Sequence, residues 1–83
     1  MIQVIERDEV QKYIINTLKV TPIVYKGQES PIRYETIIMY TGKYDSPLDG
    51  KFYSCHSFDE ALIKHNEFLH EVIERLARLS ELN

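Results

Sequence analysis

The eleven residues from Cys55 to His65, CHSFDEALIKH, hold a thiol, two imidazoles and two carboxylates. Such groups could bind a metal, or a histidine could activate the thiol as a nucleophile. The spacing suits neither. Cys55 and His56 are neighbours, so in a strand they face opposite ways and do not chelate together. A structural zinc site needs four nitrogen or sulfur ligands, yet the one cysteine and three histidines include no Cys-x-x-Cys or His-x-x-x-His pair. No metal or other cofactor is expected. Cys55 would need His65 within reach to become reactive, and no acid–base or nucleophile–base spacing marks the chain as an enzyme.

The two carboxylates have a structural use instead. Ser57 followed by Glu60 is a Ser-x-x-Glu capping box, in which the hydroxyl accepts from the Glu60 backbone N–H and the Glu60 side chain accepts from that of Ser57. Asp59 and Glu60 also suit the positive end of a helix dipole. From there Ala61, Leu62, His65, Phe68, Leu69, Val72, Ile73, Leu76 and Leu79 share about 140° of arc at ~100° per residue, the pattern of an amphipathic helix. His65 lies mid-arc. It is either a ligand or acid–base histidine, or a core histidine bonded to a strand carbonyl or tyrosine hydroxyl. One helix over residues 57–82 would be ~39 Å long, whereas a compact chain of this size is about 30 Å across. The overshoot points to a homo-oligomer with Leu69, Ile73, Leu76, Leu79 and Leu82 at its interface.

Other elements must position this helix. Asp8 and Gln11 resemble a capping box, and Val10, Tyr13, Ile14, Thr17 and Leu18 share a helical face, so residues 8–19 are expected to be helical. The IQVI run before them fits a short edge strand. Strands are expected at 20–26, demoted to an edge by Pro22, at 32–40 and at 51–56, with a ten-residue connection, TGKYDSPLDG, between the last two. The expected fold is therefore α+β in the order α-β-β-β-α: a three-stranded antiparallel meander packed with two helices, forming a single domain over residues 1–83. Two helices cover one face of such a sheet, yet both faces of 32–40 carry apolar residues. The other face is expected to meet a protein. Five of the six tyrosines fall in the sheet or its loops, and tyrosine combines rigid area with a polar tip. Tyr34, Tyr40, Tyr44 and Tyr53, with Arg33 and His65, are the candidate binding residues.

Composition narrows the classes. The single cysteine excludes an intramolecular disulfide and fits a reducing compartment. No basic segment leads into an apolar run at the start, and no apolar stretch nears the ~20 residues a bilayer span needs. The expectation is a cytoplasmic protein without membrane contact. Residues 1–56 balance seven acids with seven bases, while residues 57–83 hold six acids against three bases. Without a basic patch, the chain is not expected to bind a nucleic-acid backbone.

Tyr34-Glu35-Thr36 leading into apolar residues, a turn ending in Asp49-Gly50, a tyrosine-bearing strand, and Ser57-x-x-Glu60-Ala61-x-x-x-His65 together resemble a group of small bacteriophage-encoded proteins. The likeness covers about residues 33–73. Lys64 stands where the group often has glycine, and Ile37 where it often has methionine. The resemblance implies phage or prophage origin and an accessory role in the infected cell's cytoplasm. The leading expectation is a non-enzymatic protein that binds and modulates, by inhibition, a host protein such as a defence effector, nuclease or transcription component. The alternatives are a binder that sequesters a nucleotide signal and a virion assembly component.

Overall fold

The computed structural model describes residues 1–22, 27 and 31–81. Strands β1 (Ile2–Val10), β2 (Tyr13–Val20), β3 (Arg33–Tyr40) and β4 (Phe52–Cys55) precede one helix, α1 (Phe58–Glu81). The strands form a single antiparallel sheet in the order β1-β2-β3-β4. Helix α1 lies on one face and touches every strand. The α+β class and the long C-terminal helix match the sequence expectation; the described residues hold four strands and one helix rather than three and two.

The correction lies in residues 8–19, which form a hairpin and not a helix. Val10 pairs with Tyr13 across a two-residue turn, and Gln11 takes a φ of +55° there. Tight hairpins need a left-handed residue at this point, normally glycine or asparagine; glutamine hides the signal. Tyr13, Ile14, Thr17 and Leu18 satisfy a helical period, but Tyr13, Ile15 and Thr17 equally satisfy the period of a strand. Burial decides between them, because those three are buried while Ile14, Asn16 and Leu18 on the other face are only half-buried. The β-branched Ile14, Ile15, Thr17 and Val20 also suit a pleated surface. The IQVI edge strand is present and longer than expected. Of the strand expected at 20–26, Val20 ends β2, Thr21 and Pro22 lie in no regular element, and residues 23–26 fall outside the described set.

The strands expected at 32–40 and 51–56, and the helix expected over 57–82, appear as β3, β4 and α1. Their connection is tied down along its length. Tyr40 N–H donates to Asp49 Oδ1 at 2.9 Å, and Gly50, at φ +82°, donates to the Ile38 carbonyl at 2.8 Å. Ser46 Oγ lies 2.6 Å from Tyr13 Oη, and Leu48 packs on the core.

Between Val4, paired with Leu18, and Glu6, paired with Thr17, β1 carries one extra residue, Ile5. This bulge reverses the alternation of side chains. Ile2 and Val4 belong to the outer face, whereas Glu6, Asp8 and Val10 share the helix-facing rows of Thr17, Ile15 and Tyr13. The core between the layers consists of Tyr13, Ile15, Ile38, Phe68 and Val72. Leu69 and Leu76 pack against it, so these two of the five residues expected at an oligomer interface serve the protein's own core. Ile73 and Leu79 are exposed, and Leu82 lies outside the described residues. Among the described residues no helix is long and apolar enough to cross a membrane.

Candidate functional site

His65 is 1% exposed and sits at the centre of a polar line through the core. Its Nδ1 is 2.8 Å from Thr17 Oγ1, and Thr17 Oγ1 is 2.8 Å from Thr36 Oγ1. On the other side of the ring, Nε2 is 2.8 Å from Asp8 Oδ2. The fold assembles this line simply. Thr17 and Thr36 are register partners on the central strands, the bulge turns Asp8 inward, and the helical period brings His65 down between Ala61 and Phe68, which are also buried. One donor order satisfies every group with a neutral ring: Thr36 O–H donates to Thr17, Thr17 O–H to Nδ1, and Nε2–H to the Asp8 carboxylate. The core histidine foreseen in the sequence is thus held by a threonine and an aspartate, not by a carbonyl or tyrosine.

An aspartate, histidine and hydroxyl in line also describe a nucleophile relay. Burial rules that out for these hydroxyls. Thr17 is 0% and Thr36 1% exposed, so neither oxygen can meet a substrate. Among the described residues, access lies at the opposite end, where Asp8 is half-buried and Glu6, two residues along the same strand face, is exposed. The side-chain donors of Glu6, Asp8 and His65 lie within 4.8 Å of one another.

The remaining expected binding residues are dispersed. Tyr40 stacks on Tyr13 at 4.6 Å between centroids, and Tyr34 meets Phe58 edge-on at 5.9 Å. Tyr53 donates its hydroxyl to Glu60, under the Lys64 ammonium 4.6 Å from its ring centroid. That hydrogen bond, with smaller contributions from desolvation and the carboxylate's charge, holds the phenol above its usual pKa. Tyr44 is 81% exposed in the β3–β4 connection, and Arg33 pairs with Glu35 at 2.8 Å. Among the described residues these side chains share no pocket with His65. Cys55, the last residue of β4, is buried, while His56 just beyond it is exposed.

Glu6, Asp8, Thr17 and Thr36 are not legible as site residues: the helical reading of residues 8–19 misplaces Asp8 and Thr17, and nothing in the spacing marks the bulge that turns Glu6 inward or makes Thr36 the register partner of Thr17. A two-residue period over 13–18 is the signal that groups Thr17 with buried Tyr13 and Ile15.

Among the described residues no element packs on the outer face of the sheet. That face carries Ile2 and Val4 from β1, Ile14, Leu18 and Val20 from β2, Ile37 and Met39 from β3, and Phe52 from β4. The pairs Arg7–Glu9 and Arg33–Glu35 occupy opposite corners of it. Near its centre Asn16, between register partners Arg7 and Ile37, has a buried Oδ1 with no hydrogen-bond partner among the described residues. No family model matches the chain, and no curated protein or solved structure matches it either.

Proposed function

We propose that this protein is a non-enzymatic binding module that engages a protein partner through the outer face of its sheet. The apolar character of that face carries the reading. A two-layer fold with water on one side of its sheet normally alternates apolar inward with polar outward. Here Ile14, Leu18, Ile37, Met39 and Phe52 point away from the only helix described, and contiguous exposed apolar surface marks an interaction site. The face measures about 25 Å by 15 Å from strand rise and spacing. That is roughly 400 Å² per partner, at the small, transient end of specific interfaces.

The resemblance to small bacteriophage proteins supplies the setting: an accessory protein that binds and modulates a host protein in the infected cell. The test is recovery of one stoichiometric partner from bacterial lysate by the wild type and its loss with Ile37→Lys or Met39→Lys, at unchanged circular dichroism. Equal recovery by wild type and both variants would refute the outer face as the binding surface.

Self-association is a second reading, favoured by Ile73 and Leu79, which stay exposed toward the end of α1. The Cα radius of gyration, 15.2 Å, also exceeds the ~12 Å of a compact chain of this length. Light scattering at micromolar concentration should then give a mass above the 9.8 kDa monomer.

A further inference from the structure

We propose that Glu6, Asp8 and His65 form a binding site for a divalent first-row transition-metal ion that bridges β1 to α1. The inference is independent of the outer sheet face, because these residues lie on the helix side. Three observations carry it. The donor set is two carboxylates and one imidazole, a mixture that suits such ions and confers two negative charges when the ring is neutral. The donors lie within 4.8 Å of one another. The imidazole is 99% shielded from water, with its far nitrogen fixed 2.8 Å from Thr17 Oγ1 and that hydroxyl in turn 2.8 Å from Thr36. Metal-binding histidines are oriented in this manner, the second ring nitrogen held by a hydrogen bond that sets the tautomer.

Two ligands at bond lengths of 2.0–2.2 Å stand about 2.9 Å apart at a right angle and roughly 3.4 Å apart in a tetrahedron. Nε2 and Oδ2 stand 2.8 Å apart across their hydrogen bond, so an ion that displaces the shared proton needs only a small adjustment of these two donors. Glu6 must close by an ångström or two, and its side chain is exposed and able to move. Three protein ligands leave the outward positions to water. Binding at Nε2 requires its lone pair, so the proton sits on Nδ1 and donates to Thr17, whose hydroxyl then donates to Thr36. The 2.8 Å separations along the chain suit donation in either direction. The Ile5 bulge has a role here as well: with regular alternation, Glu6 and Asp8 would fall on the outer face with Val4, and the three donors would never meet.

The experiment is titration of the full chain with Mn²⁺ or Zn²⁺, followed by calorimetry and by NMR of the histidine rings. Expected are one ion per chain, Mn²⁺ broadening centred on the His65 ring, a melting temperature that rises with Zn²⁺, and at least about tenfold weaker binding by Glu6→Gln. Glu6 is exposed, so this variant retains the fold; Asp8→Asn is the second test. Absence of binding at millimolar ion, unchanged affinity in both variants, or broadening centred on His56 or His70 would each overturn the assignment.

Discussion

Asp8 and His65 lie 57 positions apart in sequence, yet Nε2 of the buried imidazole reaches Oδ2 of the half-buried carboxylate at 2.8 Å. The pair ties the edge strand to the helix. Because Thr17 and Thr36 continue the line, its energetics belong to four residues together.

His65→Leu should destabilise the protein by about 1–3 kcal/mol, because the leucine leaves the buried Thr17 hydroxyl without its acceptor. Replacing Thr17 and Thr36 by valine in the same background should recover much of the loss, since removing every buried partner is far cheaper than removing one. Denaturant unfolding of His65→Leu, the Thr17→Val/Thr36→Val variant and the triple variant checks this. Strict additivity would mean that the imidazole and the hydroxyl are not coupled.

The helix start offers a finer test. Glu60 N–H donates to Ser57 Oγ at 3.3 Å, while the Glu60 carboxylate accepts from Tyr53, and among the described residues no bond from the Ser57 N–H to Glu60 completes the capping box. Ser57→Ala should cost about 0.5–2 kcal/mol, by the same amount whether residue 60 is glutamate or alanine. A loss that shrinks in the Glu60→Ala background would restore the reciprocal box.

Tyr53 should titrate at higher pH than an ordinary phenol, chiefly because Glu60 accepts its hydroxyl proton. The sign follows from linkage: a phenol pKa raised on folding contributes stability that is complete below the unfolded value and fades as pH rises through the folded one. Phenolate absorbance should show one late-ionising tyrosine, moved back toward normal by Glu60→Ala, which removes the acceptor. If that variant leaves the titration unaltered, the hydrogen bond is not the cause.

At Gly42 an added Cβ would clash with the hydroxyl end of the Tyr40 ring, which packs at a tilt on Tyr13 in the core. Gly42→Ala should therefore cost about 1–3 kcal/mol as overpacking, measurable by thermal unfolding. Tyr40→Leu in the same background should relieve part of it, and a fully stable Gly42→Ala would show that the ring is free to move aside.

The sequence by itself determined the elements whose signals are local. Alternation in IRYETIIMY marks β3, the Asp49-Gly50 turn leads into β4, and Ser57 begins a helix whose 3.6-residue period continues to Leu76. Each of these depends on neighbours within a few positions, where sequence spacing and spatial proximity agree. The segment from Asp8 to Lys19 was undecidable on that basis, since Tyr13, Ile14, Thr17 and Leu18 fit a helical period, Tyr13, Ile15 and Thr17 fit that of a strand, and Gln11 gives no turn signal. Tertiary structure decided it: only in a hairpin do Tyr13, Ile15 and Thr17 enter the core under α1. The same holds for the site. Which way Glu6 and Asp8 face depends on one extra residue at Ile5, and what His65 touches depends on three strands arriving beneath it. These are long-range contacts, and their geometry is set by register and packing rather than by any spacing along the chain.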